Sequence, residues 1–488
     1  MFLIDTHKFW DLFAYNPTEP LIFSSGMFLF LFTGFVFIYA ALVKTDRPKL
    51  IFVTLFSLFF YYKSSGNYFV LLLFATVVDF TLARLIYDSE DRARKKLLLI
   101  ASLAVNLGVL AYFKYSGFLM ETFGLVGEED KYDIFIPVGI SFFTFQSLSY
   151  TLDVYRGNLK PVDSILDYAF YLSFFPQLVA GPIVRAVDFL PQIHTPTVVT
   201  NQMLGRAVFL IAAGLFKKAV IADYISINFV DRVFDAPALY TGLENLFAVY
   251  GYALQIYCDF SGYSDMAIGI ALLLGFHFNI NFDSPYKSKN ITEFWRRWHI
   301  SLSTWLKDYL YISLGGNRKG RVRTYVNLMI TMLLGGLWHG PAWRFVIWGG
   351  LHGVALTFHK LFLEYASPML RTRMGAVVST LLTFHFVCFC WIFFRAPDLS
   401  TVGTMLAQIF LNFKAGILFQ FISGYSFVIF LMMLGYVTHF FSDTTIEKMQ
   451  IRIAEMPLYA KALCLVAVIV VVIQTKSAEV QPFIYFQF

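Results

Sequence analysis

Apolar runs alternate with short charged loops along almost the whole chain. A membrane-crossing helix needs roughly 20 apolar residues. The first such run is Leu21 to Val43, closed by Lys44-Thr-Asp-Arg-Pro-Lys49. Shorter runs cover 50–62 and 68–85, before a charged loop at 88–96 that carries Arg92, Arg94, Lys95 and Lys96. Leu97 to Phe113 leads to an acidic loop at 121–130, and Ile134 to Leu152 returns to Arg156 and Lys160. Basic loops stay on the cytoplasmic side of a membrane. The loops at 44–49, 88–96 and 154–163 are therefore expected inside, with the N-terminus and 121–130 outside. Further spans are expected near 205–222, 245–258, 266–278, 324–338, 342–363, 374–394, 427–441 and 459–473. Arg371 and Arg373 mark another inside loop, and the C-terminus is expected outside.

Several runs are interrupted. Phe174-Phe-Pro-Gln-Leu-Val-Ala-Gly-Pro182 carries two prolines and a glycine, where a straight helix breaks. Broken backbone at membrane depth is tolerated only inside protein or beside a wet cavity. Either the stretch lines a cavity or re-enters the membrane, or it is a kink at a span end. Tyr257-Cys-Asp-Phe-Ser-Gly-Tyr-Ser-Asp265 is expected to separate two spans, and its Asp259 and Asp265 need partners or water. Asn290-Ile-Thr-Glu293 has the spacing of a capping box. After it, Trp295, Trp298, Leu302, Trp305 and Tyr309 recur at helical spacing, with Arg296, Ser303 and Lys307 roughly opposite. That pattern predicts one amphipathic helix lying at the membrane surface or packed beneath the bundle.

Composition agrees with the pattern. Of 488 residues, 58% are hydrophobic and only 14% charged, against about 25% in a soluble domain. The mean hydropathy is +0.64. The expected fold is an all-α polytopic membrane protein of roughly ten or more transmembrane helices, in a single membrane domain over 1–488. Within it, 1–20 reads as an interfacial segment anchored by Phe9, Trp10, Leu12 and Phe13. It lacks the basic start and cleavage site of a signal peptide. Residues 285–325 read as a cytoplasmic helix and basic loop, and 476–488 as an extracytoplasmic tail. Cys258, Cys388, Cys390 and Cys464 lie in apolar runs without metal-ligand spacing, so they read as small buried hydrophobes.

Candidate chemistry sits in 290–352. An apolar run carries His339 in Leu337-Trp338-His339-Gly340-Pro341. A histidine at that depth is a functional candidate, because polar groups in a bilayer are costly. Its ordinary pKa of about 6.5 suits proton transfer from a hydroxyl, although a satisfied core group or a proton relay fits the same position. His299 borders the aromatic face of the preceding helix and is a second candidate. From Lys287 to Arg323, basic residues far outnumber acidic ones. Gly315-Gly-Asn-Arg-Lys-Gly320 combines glycine with charge in a way that can hold an anion. These charges equally serve to fix topology. There is no phosphate-binding G-x-x-x-x-G-K-[ST] loop, no H-E-x-x-H metal helix and no G-x-S-x-G elbow. Neither a metal nor nucleic acid is expected.

On these residues the chain resembles the membrane-bound O-acyltransferase (MBOAT) family, and most of all its bacterial alginate O-acetyltransferase branch. The resemblance is carried by Ile22-Phe-Ser-Ser25, Pro137-Val-Gly-Ile-Ser-Phe-Phe-Thr-Phe-Gln146, Phe175-Pro-Gln-Leu-Val-Ala-Gly-Pro182 and Tyr257-Cys-Asp-Phe-Ser-Gly-Tyr-Ser-Asp265. It continues through Phe294-Trp-Arg-Arg-Trp-His299, Gly315-Gly-Asn-Arg-Lys-Gly320, Leu337-Trp-His-Gly340 and Trp391-Ile-Phe-Phe-Arg395. It runs along nearly the whole chain.

The resemblance implies a bacterial inner-membrane enzyme that moves acetyl from cytoplasmic acetyl-CoA towards an extracytoplasmic polysaccharide, where a partner acetyltransferase completes the transfer. It implies that His339 is catalytic, with His299 as the second histidine. Arg296, Trp298, Lys307, Asn317, Arg318 and Trp338 are the expected donor-binding or tunnel residues. The tail Phe483-Ile-Tyr-Phe-Gln-Phe488 resembles the C-terminal motif of a small partner peptide in teichoic-acid D-alanylation. That likeness makes Tyr485 a candidate acyl relay; an interfacial aromatic anchor is the other reading. A transporter or channel, and a non-catalytic scaffold of a polysaccharide export complex, are the competing functions.

Overall fold

The computed structural model describes residues 13–17, 19–125, 134–362 and 372–475. The expectations for 1–12 and 476–488, Tyr485 included, lie outside the described residues. The chain is helical throughout, with no strand among the described residues. It is an all-α polytopic membrane protein. Among the described residues, four helical stretches can cross a membrane by length and composition, or six if two sharply bent pairs each count as one span. The backbone forms two compact units, one of 1–200 with 270–278 and one of 201–269 with 279–488.

In the first unit the helices start where capping chemistry allows. Ser25 opens Gly26–Leu42 by accepting the Phe28 N–H at 3.1 Å, and Asp91 opens Arg92–Leu110 by accepting Ala93 and Arg94. Gly66, at φ 61°, breaks the path between Arg47–Ser65 and Phe69–Asp88. The expected interruption is present at Phe174, between Ile165–Ser173 and the short Phe175–Leu178 helix. Residues 171–184 are all buried, so the broken backbone lies inside protein. A Cβ on Gly181 would lie 2.5 Å from the Pro176 carbonyl oxygen, so this fold-back requires glycine. Phe175 packs among Phe28, Phe35, Phe56 and Phe60, one use of the chain's high phenylalanine content.

Two polar clusters tie this unit together. Asp79, fully buried, accepts Ser102 Oγ at 2.8 Å and Asn106 Nδ2 at 2.9 Å, which stitches Phe69–Asp88 to Arg92–Leu110. His194 places Nε2 2.9 Å from Asp167 and Nδ1 3.0 Å from Asp46. The Asp167 hydrogen bond, seconded by Asp46, holds this imidazole above its usual pKa.

The second unit corrects two expectations. The separate spans at 245–258 and 266–278 are one continuous helix, Gly242–Leu273, running straight through Asp259 and Asp265. The carboxylates do not break it because each meets a lysine from Phe216–Ala222, where the helix loosens to π winding. Lys217 Nζ is 2.5 Å from Asp265, and Lys218 Nζ is 2.6 Å from Asp259 and 2.7 Å from Asp223. The second correction concerns the amphipathic helix. It is broken at Trp298 and His299 into Ile291–Arg297 and Ile300–Trp305, the latter continuing as a π turn through Tyr311. The expected cap is present, with Asn290 accepting the Glu293 N–H at 2.8 Å.

Lys218 and Asp259 are 3% and 4% exposed, so their pairing is the most demanding in this unit. Removing one partner of a buried pair costs about 3–5 kcal/mol, whereas replacing the set with apolar groups is far milder. Lys218→Met is therefore expected to lower thermal stability sharply in detergent. Lys218→Met combined with Asp259→Leu and Asp223→Leu recovers most of the loss.

Candidate active site

His339 is positioned by the end of a helix. Arg321–His339 stops there because Pro341 cannot continue it and forces the residue before it into extended backbone. Gly340 takes that conformation at φ −168° and ψ 155°. It must also be small, since a Cβ would lie 2.2 Å from the Phe345 ring. The next helix, Trp343–Phe362, returns against the first almost backbone to backbone. A Cβ on Gly336 would meet the Phe345 carbonyl oxygen at 2.2 Å, and one on Gly349 the Met332 carbonyl oxygen at 2.2 Å.

This approach places His339, 2% exposed, edge-on to a wall of rings. Its ring centroid is 5.0 Å from Trp348, 5.1 Å from Trp338 and 5.3 Å from Phe394. Beyond Trp348 the rings close a circuit. Trp348 lies 5.9 Å from Trp391, Trp391 5.0 Å from Trp298, Trp298 5.6 Å from Phe294 and Phe294 6.1 Å from His352. His352 is 4.8 Å from Trp348.

His299 occupies the break between two helices, at φ 42°. Few non-glycine residues adopt that conformation, and one that does must be held there. Asn281 does the holding. Its Oδ1 accepts the Ser301 N–H at 3.2 Å, Ser301 Oγ at 2.9 Å and His299 Nδ1 at 3.2 Å, while its Nδ2 donates to Ser264 Oγ at 3.0 Å. A backbone N–H can only donate, so the atom it meets is the amide oxygen. His299 therefore carries its proton on Nδ1, and the lone pair is on Nε2. Burial pushes this imidazole down to about 3, so it is neutral at working pH. Phe260 lies 4.6 Å away and Trp338 6.1 Å. Trp338 thus packs near both histidines.

The sequence candidates divide in two. Trp298, His299, Trp338 and His339 are buried and share one aromatic cluster. Arg296, Lys307, Asn317 and Arg318 are exposed, and Lys307 lies 3.7 Å from its neighbour Asp308. Missed from the sequence was His352, fully buried on Trp343–Phe362. The signal that singled out His339, a histidine inside an apolar run, was present there too.

Fold and site together define a membrane protein with a buried, aromatic-walled histidine centre. The model described as MBOAT, membrane-bound O-acyltransferase family, matches residues 162–396, which include that centre. A peptidoglycan O-acetyltransferase of Helicobacter pylori is 38% identical over 421 residues, 79% of this chain and 79% of that protein. A probable alginate O-acetylase AlgI of Pseudomonas aeruginosa is 40% identical over 399 residues, 80% of this chain and 75% of that protein. A teichoic acid D-alanyltransferase of Bacillus subtilis is 29% identical over 266 residues, 52% of this chain and 67% of that protein. The chain belongs to the membrane-bound O-acyltransferase family and is an O-acyltransferase.

Asn281→Ala removes every one of those hydrogen bonds and leaves buried donors unmet, at about 1–3 kcal/mol. Its thermal midpoint is expected to fall, and its acyl-transfer rate to fall in step with that of His299→Ala. Wild-type activity in Asn281→Ala would mean that the left-handed turn needs no such support.

Proposed function

We propose that the chain carries acetyl from cytoplasmic acetyl-coenzyme A towards a polysaccharide hydroxyl outside the bacterial inner membrane, with His339 as general base. The observation that carries this reading is the burial of His339 at a helix end inside the ring wall. A thioester is already activated, so the site needs a base and a dry, shaped space rather than a metal. The hydroxyl oxygen attacks the thioester carbonyl carbon and His339 takes its proton. The new C–O bond forms, the C–S bond breaks, and the leaving thiolate receives the proton. His299, neutral and fixed by Asn281, orients groups beside Trp338. Trp298 and Trp338 wall the passage. Exposed Arg296, Lys307 and Arg318, with Asn317, hold the phosphates of the donor at the cytoplasmic mouth.

The acceptor class follows from the relatives, whose names place acetyl on alginate and peptidoglycan. A glycan outside the membrane requires a second, extracytoplasmic acetyltransferase to finish the transfer. Both chain ends lie outside in this reading, so the tail faces that partner. Tyr485 then relays the group. Its phenol, of pKa about 10, makes a more reactive ester than an alkyl alcohol does.

His339→Ala is expected to abolish glycan acetylation, assayed by released acetate in whole cells, while the protein still accumulates in the membrane. Normal acetylation in that strain removes the base assignment. Tyr485→Phe keeps the ring and deletes only the hydroxyl. It is expected to retain membrane assembly and donor thioester binding yet lose glycan acetylation, with an acetyl-Tyr485 adduct visible by mass spectrometry in the parent. Full acetylation by Tyr485→Phe reduces the tail to an anchor.

A further inference from the structure

His352 is locked into one tautomer by its neighbour. The Trp295 indole Nε1 lies 3.3 Å from His352 Nδ1. Indole can donate but has no lone pair to accept, so Nδ1 receives this bond through its own lone pair. The proton of the neutral ring is then on Nε2. That Nε2 is buried and has no hydrogen-bond partner, and His352 itself is 0% exposed. Trp348 is in the same condition: 1% exposed, with its Nε1 unpartnered. The two rings are 4.8 Å apart, and Trp348 is 5.0 Å from His339.

Buried donors left unmet destabilise a fold, and almost all native ones are satisfied. Here the surroundings offer mostly carbon. His352 faces Phe294, Trp295, Trp348 and Phe386, none of which presents an oxygen acceptor. Two N–H groups kept unsatisfied within one ring of the candidate base are matched by an acceptor that arrives with substrate.

We propose that His352 Nε2–H, assisted by Trp348 Nε1–H, donates to the carbonyl oxygen of the bound acyl thioester and stabilises the negative charge that forms there during attack. The inference rests on His339 being the base. As the hydroxyl oxygen bonds to the carbonyl carbon and its proton goes to His339, the carbonyl electrons move onto oxygen, where these donors wait. They return as the C–S bond breaks. Donors aimed at developing charge act mainly on kcat.

Two substitutions separate this role from a structural one. His352→Gln places an amide N–H near the old Nε2 position. His352→Asn instead keeps an acceptor for Trp295 near Nδ1 and loses the outer donor. The full chain in membrane vesicles is assayed with acetyl-CoA, alongside wild type and His339→Ala. His352→Asn is expected to lower kcat about 100-fold with KM within about twofold, and His352→Gln to remain within about tenfold of wild type. If His352 only anchors Trp295, the order reverses. That reversal, equal losses in both variants, or wild-type rates in both overturn the proposal. Activity that survives in His339→Ala removes the base assignment instead, and the Asn–Gln contrast still decides the role of His352. Rates are taken per folded molecule. Should neither His352 variant fold, Trp348→Phe decides with His352 intact: a kcat loss of about tenfold at constant KM supports the pair, and an unchanged kcat overturns it.

Discussion

The site depends on how closely two helix backbones approach. Arg321–His339 and Trp343–Phe362 meet at Gly336 and Gly349, where any side chain would collide with a carbonyl oxygen of the other helix. That contact fixes the height at which Trp348 and His352 face the end of the first helix. Gly340 and Pro341 then end that helix at His339 and no later. Trp338 and Trp348, two of the rings around His339, are positioned by this corner. In a membrane, small residues at helix contacts serve the same end, because close packing replaces the hydrophobic drive that lipid cannot supply. A methyl group at Gly336 would therefore act on chemistry and folding together.

The polar groups obey a second constraint, which is that charge at depth must be paired. Lys217 and Lys218 answer Asp265 and Asp259, and the long helix Gly242–Leu273 stays intact through both carboxylates. Ser102 and Asn106 answer Asp79 in the other unit. The pairing lysines sit in a π-wound stretch, a winding often found where function or packing requires a side chain to be re-aimed. These networks give a helix permission to carry an acid without bending.

This explains which features the sequence made legible. A histidine inside an apolar run is costly wherever it falls, so His339 stood out before any contact was known. The break at Phe174–Pro182 was equally plain, because proline and glycine act locally. Asp259 and Asp265 misled for the opposite reason. Their partners are more than forty residues away, and local polarity looks like an interruption when the neutralising lysine is out of view. The amphipathic pattern from Trp295 to Tyr309 was real as a face, yet it could not announce the turn at His299. That turn is enforced by Asn281, distant in the chain, and periodicity carries no trace of it. His352 was open to the same reasoning as His339, but its tautomer needed the position of the Trp295 indole.

An all-helical site also limits where catalytic hydrogen bonds can originate. Many acyl-transfer enzymes stabilise the oxyanion with backbone N–H groups. Here the backbone N–H groups of Arg321–His339 beyond its first turn are committed to the helical ladder, and those free of it near His339 belong to the first turn of Trp343–Phe362. The end of Arg321–His339 presents carbonyls, the negative pole of the helix. In the proposed reaction that pole repels the negative charge that develops on a substrate oxygen. A base at the C-terminal end of a helix therefore creates a need for opposing donors nearby. Side-chain N–H groups are a further supply, and indole and imidazole deliver them without carrying a permanent charge into apolar surroundings. If the proposed donors act, the abundance of tryptophan around this one corner is chemical as well as steric: its rings pack the site, and its N–H groups are donors that a buried helical site can hold without a permanent charge.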